Sequence, residues 1–131
     1  MPAPVLFRGV HHVAIIASDY VRSRKFYVDI LGLRVVAEIF REARQSHKLD
    51  LALPDGVQIE LFSFPNPPRR PSYPEAAGLR HLAFSVHDLD ACIAHLTAHG
   101  IATEPVRIDE FTDRRFTFFA DPDGLPIELY A

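Results

Sequence analysis

The sequence predicts an α+β fold made of two tandem β-α-β-β-β modules. The first observation is a repeated octapeptide: Pro-Asp-Gly-Val-Gln-Ile-Glu-Leu at 54–61 returns as Pro-Asp-Gly-Leu-Pro-Ile-Glu-Leu at 122–129, identical at six of eight positions. The second is a shorter pair, His-Val-Ala at 12–14 and His-Leu-Ala at 81–83, which lies 69 residues apart. A repeat that keeps its register over most of a chain indicates that one structural module occurs twice.

The first module is predicted to begin with a strand at 11–17, followed by a helix. Asp19 is placed to cap the helix, and Gly32 is placed to end it. Between them, four apolar residues fall on one helical face, namely Phe26, Tyr27, Ile30 and Leu31. Three further strands are expected near 34–40, 48–53 and 57–64.

The second module is predicted to follow the same order. After a strand at 81–86, Asp88 caps a helix that Gly100 ends. This helix carries apolar residues at i, i+3, i+4 and i+7, namely Leu89, Cys92, Ile93 and Leu96. Strands are expected near 101–108, 115–120 and 126–130.

A proline-rich segment separates the two modules. Residues 65–74 hold five of the eleven prolines, and proline cannot donate a hydrogen bond within a central sheet. We therefore expect one domain, 1–131, in which modules 8–64 and 79–131 are joined by a linker at 65–78. Arg69 and Arg70 in this linker are predicted to form a solvated rim; the alternative is that, near a cleft, they attract an anionic substrate.

Composition excludes several classes of protein. With 14 Lys and Arg against 17 Asp and Glu, the net charge of −3 gives no basic surface for nucleic acid or anionic membrane. The longest aliphatic run, at 13–17, is far shorter than a membrane span, so a cytoplasmic protein is expected. The single cysteine, Cys92, excludes a disulfide framework and a zinc site of several thiolates. Any metal must then be bound by His, Glu or Asp.

Four residues at repeat-related positions predict such a metal site. Side chains alternate between the two faces of a strand, so each module presents one imidazole and one carboxylate from two of its strands. A single His or Glu at such a place is usually a hydrogen-bonded or solvated side chain, but both Glu residues stand between Ile and Leu in apolar strands. If the modules pair about a pseudo-twofold axis, the two pairs converge. We predict one divalent ion, Ni, Zn, Fe, Mn or Co, bound by His12, Glu60, His81 and Glu128.

At these residues the sequence resembles the vicinal oxygen chelate superfamily, and most closely its glyoxalase I-like branch, which also includes bleomycin-resistance proteins and extradiol dioxygenases. The resemblance covers nearly the whole chain. It implies two β-α-β-β-β modules curled into a cleft of mixed sheet around a divalent metal, with the four residues above at the ligand positions. The motifs that carry it are His11-His12-Val13-Ala14-Ile15, Phe26-Tyr27, Leu31-Gly32-Leu33, Ile59-Glu60-Leu61, Arg80-His81-Leu82-Ala83-Phe84, Asp121-Pro122-Asp123-Gly124 and Ile127-Glu128-Leu129.

The resemblance implies a lactoylglutathione lyase-like metalloenzyme, a lyase or isomerase acting on a small substrate with vicinal oxygens. In glyoxalase I the ion is Ni or Zn, and the substrate is the hemithioacetal of methylglyoxal and glutathione. The resemblance gives Glu128 the role of general base and implies that Glu60 can act on the opposite face of the substrate.

Two positions depart from the glyoxalase I pattern. That enzyme carries an Arg four residues beyond its first His ligand and an Asn four beyond its first Glu, where this chain has Ile16 and Phe64. The apolar pair suits a less charged or aromatic substrate, unless another cation replaces the missing one. The candidates for that cation are Arg41, Arg44, Lys48, Arg114 and Arg115.

Two other functions stay open. An extradiol-type dioxygenase normally needs two His and one carboxylate, so Glu60 as a fourth ligand argues against it. A non-catalytic small-molecule binding or resistance protein would keep the cleft without the metal. We also predict a homodimer, since symmetric association is the usual default.

Overall fold

The computed structural model describes residues 1–131, which divide into two compact units, Met1–Pro67 and Pro68–Ala131. The boundary between the units lies inside the proline-rich segment that separates the two copies of the repeat. Neither unit contains a helix with the length and apolar character that a membrane span requires.

The first unit contains one four-stranded mixed sheet with the order β1-β4-β3-β2. Strand β1 runs parallel to β4, and the other neighbouring pairs are antiparallel. Helix α1 continues without a break into a π-helical segment. The elements in chain order are β1 (His12–Ala17), α1 (Tyr20–Arg24), the π-helical segment (Lys25–Ile30), β2 (Arg34–Arg41), a 3₁₀ turn (Glu42–Arg44), β3 (Ser46–Ala52) and β4 (Gln58–Ser63).

The second unit repeats this topology, with the order β5-β8-β7-β6. Strand β5 is parallel to β8, as β1 is to β4. The predicted α+β class and the β-α-β-β-β order of both modules are therefore confirmed. The elements are β5 (Leu82–Ser85), α2 (Leu89–Ala98), β6 (Arg107–Ile108), β7 (Arg115–Ala120) and β8 (Pro126–Tyr130).

Each sheet has one buried apolar face and one more accessible face that carries the glutamate. On β4, Ile59 and Leu61 are fully buried, whereas Glu60 between them is only half-buried. On β8, Ile127 and Leu129 are buried and Glu128 is half-buried. The apolar face of each sheet is removed from water, which leaves the face carrying the glutamates accessible.

Both helices begin as the sequence predicts. The Asp19 carboxylate accepts a hydrogen bond from the Arg22 backbone N–H, and the Asp88 carboxylate accepts one from the Ala91 N–H. The first helix differs from the expectation in its second half, where the Leu31 N–H donates to the Phe26 carbonyl, five residues back.

The repeated Pro-Asp-Gly turns set the register of the two glutamates. Gly56 and Gly124 have φ angles of +92° and +82°, a left-handed conformation that favours glycine. Each turn is followed four residues later by Glu60 or Glu128. The same turn chemistry thus places each carboxylate at the equivalent point of its sheet.

Two expectations are wrong. The strand predicted near 101–108 is reduced to Arg107–Ile108. The segment before it contains Pro105 and joins β7 only through isolated hydrogen bonds, such as the one from the Glu104 N–H to the Phe118 carbonyl. Arg70 is not part of a solvated rim, since its guanidinium donates to the carbonyls of Leu79 and Arg80 at 2.7 and 2.9 Å.

Candidate functional site

In the first unit, His12 and Glu60 meet on the accessible face of the sheet. The parallel register places Ala14 beside Glu60, so His12 lies two residues back on the same face of β1. The His12 Nε2 atom is 3.5 Å from the Glu60 Oε2 atom, and the Glu60 side chain is 15% exposed. The other ring nitrogen of His12, Nδ1, is hydrogen-bonded to His11 Nδ1 at 2.9 Å. That second contact orients the imidazole so that Nε2 faces the carboxylate.

In the second unit, His81 and Glu128 form the equivalent pair. The register places Ala83 beside Glu128, and His81 lies two residues before Ala83. The His81 Nε2 atom is 3.2 Å from the Glu128 Oε1 atom, and the Glu128 side chain is also 15% exposed. The Phe118 ring packs edge-on against the His81 imidazole with ring centres 5.1 Å apart. An aromatic contact here takes the place that a second histidine has in the first unit.

The donor atoms of each pair are spaced as ligands of one divalent ion would be. Imidazole nitrogen and carboxylate oxygen bind such ions at about 2.1 Å, so two ligands at a right angle are about 3 Å apart. The observed separations of 3.5 and 3.2 Å are close to this value. Imidazole and carboxylate together also match the preference of the metals Ni, Zn, Fe, Mn and Co. The residues present therefore fit a metal of this class.

The structure brings the four predicted ligands together as two pairs, one in each unit. No group of three or more His, Cys, Asp or Glu side chains assembles as an ion site. It therefore stays a prediction that one ion is shared by His12, Glu60, His81 and Glu128.

Lys48 flanks the first pair, although the sequence suggested it only as a replacement for the cation that glyoxalase I carries. Lys48 on β3 has its Nζ atom 2.7 Å from Asp50 Oδ1 and 3.9 Å from Glu60 Oε1. The two Glu60 oxygens are thus divided, with Oε2 facing His12 and Oε1 facing Lys48. Asp50 lies directly across from Glu60 in the antiparallel register, a proximity that no sequence motif indicates.

The other candidate cations are engaged in local structure, apart from Arg44 in its 3₁₀ turn. Arg41 donates to Ser46 Oγ and lies over the Phe62 ring. Arg114 lies over the Tyr130 ring, with its guanidinium carbon 4.6 Å from the ring centre. Arg115 pairs with Asp90 of α2, which lowers the pKa of the Asp90 carboxyl through their hydrogen bond.

The second pair borders a cavity of about 190 Å³. Phe118 lies directly across from Glu128 in the register, where the first unit has Asp50. The two units therefore surround their glutamates differently, one with charged groups and the other with an aromatic ring. The residues that line this cavity include Tyr73, Arg80, His81, Glu104, Arg107 and Phe118.

Other histidines and the single cysteine are engaged in local structure. His11 supports His12 through a hydrogen bond. His99 Nδ1 is hydrogen-bonded to the His95 carbonyl at 2.9 Å, so this pair is joined within its helix. Burial, and secondarily the Asp88 charge, raise the pKa of the Cys92 thiol, which opposes a nucleophilic role.

Ile16 and Phe64 occupy the two positions that depart from the glyoxalase I pattern. Both lie at the C-terminal ends of strands, Ile16 in β1 and Phe64 directly after β4. Ile16 is 53% exposed on the same face of β1 as His12. Phe64 follows β4 and stacks with Phe62, with ring centres 6.1 Å apart. These positions add apolar surface beyond the first pair and supply no hydrogen-bond donor.

Comparisons with known proteins agree with this architecture. The chain is 63% identical to uncharacterized protein YaeR of Escherichia coli (strain K12), over 94% of this chain and 95% of that protein. It is 57% identical to uncharacterized protein YwkD of Bacillus subtilis (strain 168), over 96% of this chain and 98% of that protein. A crystal structure of a glyoxalase family protein from Enterococcus faecalis matches with a TM-score of 0.90 and 50% identity, over 97% of this chain and 100% of that one.

More distant relatives carry named activities. They include a 2-epi-5-epi-valiolone epimerase from Actinomyces sp at 28% identity, over 92% of this chain and 78% of that protein. A catechol-2,3-dioxygenase of Bacillus subtilis (strain 168) is 30% identical, over 84% of this chain and 36% of that protein. The model of the Glyoxalase/Bleomycin resistance protein/Dioxygenase superfamily matches residues 9–129. With this match over nearly the whole chain and the duplicated fold, the chain belongs to that superfamily.

Proposed function

We propose that this chain is a divalent-metal-dependent isomerase or lyase of the glyoxalase I type, acting on a small substrate with oxygens on adjacent carbons. The observation that supports this most is the repeated pairing of an imidazole with a half-buried carboxylate, at 3.5 Å in the first unit and 3.2 Å in the second. The residues that would hold the ion are His12, Glu60, His81 and Glu128. The epimerase among the relatives supports isomerisation as the class of reaction.

The metal, when bound, would act as a Lewis acid that makes a C–H beside the coordinated substrate oxygen more acidic. Glu128 is the residue that we assign to accept this proton. It is 15% exposed, it has no Lys or Arg within ion-pair distance, and its neighbour across the sheet is Phe118. Because no ammonium or guanidinium pairs with it, this carboxylate keeps its charge available for proton transfer.

Glu60 suits the role of a fixed ligand better. One of its oxygens faces His12 and the other lies 3.9 Å from the Lys48 ammonium. The lysine offsets part of the carboxylate charge and restricts its rotation. This difference between the two glutamates is the reason that we place the base at Glu128.

We also propose that the protein works as a homodimer. The two pairs can belong to one chain or to two chains, and either arrangement is consistent with a shared ion. A solution mass measured by light scattering is expected at twice the 14.8 kDa of one chain. The mass of a single chain would contradict the dimer and leave the proposed reaction untouched.

The reaction is tested with protein stripped of metal and reloaded separately with Ni, Zn, Fe(II), Mn or Co. Each form is assayed with the hemithioacetal of methylglyoxal and glutathione, then with 2-oxo and α-hydroxycarbonyl compounds. We expect turnover with at least one metal, with solvent deuterium entering the substrate at the carbon that exchanges its proton. Absence of turnover with every metal and every compound would reject the proposal.

A dioxygenase is the second candidate, favoured by the relative named catechol-2,3-dioxygenase. Its test is oxygen uptake by the Fe(II)-loaded protein in the presence of catechol. We expect none, because the proposed ligand set contains two carboxylates. Oxygen consumption that matches ring-opened product would replace the isomerase with a dioxygenase.

A further inference from the structure

The cavity beside His81 is lined by a cation that forms no ion pair within the protein. Arg80 lines this cavity and immediately precedes His81 in the chain. Its backbone carbonyl accepts a hydrogen bond from Arg70, whereas its guanidinium forms no hydrogen bond or ion pair within the protein. No sequence pattern predicts a ligand-binding role for this arginine.

The second arginine of the cavity is already compensated. The Arg107 guanidinium is 3.1 Å from the Glu104 carboxylate and lies over the rings of Phe116 and Phe118, at 5.0 and 5.6 Å from their centres. These contacts hold Arg107 against the aromatic wall. Arg80 is therefore the cation of the cavity that is free to pair with a ligand.

We propose that this cavity binds a single carboxylate of the substrate through Arg80, with the apolar body of the substrate against Phe118. A guanidinium presents parallel N–H donors that match the two oxygens of a carboxylate. Glu75 and Glu104 also line the cavity, and their charges oppose a ligand with more than one negative charge. The ligand class is thus a small monocarboxylate with an apolar or aromatic portion.

This inference rests on the proposed function, because it assigns the carboxylate to a substrate whose vicinal oxygens lie towards His81. The first unit has Ile16 where glyoxalase I carries an Arg, whereas the second unit carries Arg80 next to its own histidine, His81. Specificity would then depend on a residue outside the four proposed ligands.

The test is direct binding to the full-length, metal-free protein, followed by amide ¹H–¹⁵N NMR. The probes are 3-phenylpropionate and its neutral isostere 3-phenylpropionamide. Because a charge-assisted hydrogen bond exceeds a neutral one, we expect the acid to bind about fivefold more tightly than the amide. The largest shifts are expected around Tyr73 and Arg80.

Three variants make the test specific. Arg80→Gln should reduce the acid-to-amide preference to about one, and Arg80→Lys should retain part of it, since the charge remains. Arg69→Gln is the matched control, because Arg69 is an exposed arginine of the same unit that does not line the cavity. It should keep the fivefold preference that we expect for the unmodified protein.

Equal binding of the two probes, or binding of neither, would overturn the inference. So would a preference that survives in Arg80→Gln. These outcomes are separate from a failure of the proposed function, since the ratio is measured without metal or turnover. A protein that prefers the acid but converts no vicinal-oxygen compound would retain the subsite and lose the isomerase.

Discussion

Replacing Glu128 by glutamine is expected to abolish most activity while leaving the fold intact. The change keeps the size of the side chain and removes one negative charge, 3.2 Å from His81 Nε2. His81 remains held by the Phe118 ring at 5.1 Å between centres. Because the pair is partly exposed, at 28% and 15%, the free energy of unfolding should change by no more than about 1 kcal/mol.

The expected loss of function is much larger than the loss of stability. Removing a residue that merely supports a metal ligand weakens metal affinity about 10- to 100-fold, so loss of a ligand itself should reach at least about 100-fold. A general base contributes about 10² to 10⁴ in rate, which sets the expected fall in kcat. A 100-fold change in affinity corresponds to about 2.7 kcal/mol.

Two assays separate these effects. Cobalt(II) titration followed by absorption gives the metal affinity, and turnover at saturating metal gives kcat. Glu110→Gln is the matched control, because Glu110 is an exposed glutamate of the same unit that does not line the cavity. If Glu128→Gln binds cobalt and turns over substrate as well as the unmodified protein does, the assignment of this residue is wrong.

Three further expectations concern metal binding, the core and pH. Lys48→Met should strengthen cobalt affinity by about tenfold, because it removes a positive charge that competes with the metal for Glu60 and leaves Asp50 uncompensated. An unchanged affinity would show that the lysine does not offset the Glu60 charge. Ile127 is fully buried, so Ile127→Ala should lower the free energy of unfolding, measured by urea titration, by about 2–5 kcal/mol. Ile108 is 62% exposed, so Ile108→Ala should change the same quantity by less than about 0.5 kcal/mol. Hydrogen bonds, the larger effect from Arg24 and the smaller from Tyr20, hold the pKa of Glu38 below its usual 4.5. The Glu38 carboxylate therefore stabilises the fold above pH 4.5 and loses that contribution as the pH falls below this value. Glu38→Gln should therefore reduce the loss of unfolding free energy at acid pH, by less than about 1 kcal/mol because the Arg24–Glu38 pair is exposed. An unchanged pH dependence of stability would contradict this contribution of Glu38.

Much of the fold could be predicted because its signals are local. The Asp19 and Asp88 caps and the Pro-Asp-Gly turns lie within a few residues of the structure that they specify. The strand predicted near 101–108, most of which does not form, shows that local signals are not sufficient for strands. Strand pairing depends on partners elsewhere in the chain, and only Arg107–Ile108 obtain them.

The candidate site divides in the same way. The residue types at His12, Glu60, His81 and Glu128 follow from the repeat, and their pairwise proximity follows from strand alternation once β1 and β4, or β5 and β8, are neighbours. The surroundings of these pairs were not predicted. Lys48 and Phe118 lie on adjoining strands whose register no motif reveals.

The sequence by itself determined the duplicated module, the positions of its turns and the chemistry of its four repeated side chains. Tertiary structure decided which charges and rings surround those side chains, and it left the Arg80 guanidinium without a partner in the cavity. The physical reason is that turns and alternation act over a few residues. Lateral contacts between strands depend instead on hydrogen-bond register between segments far apart in the chain.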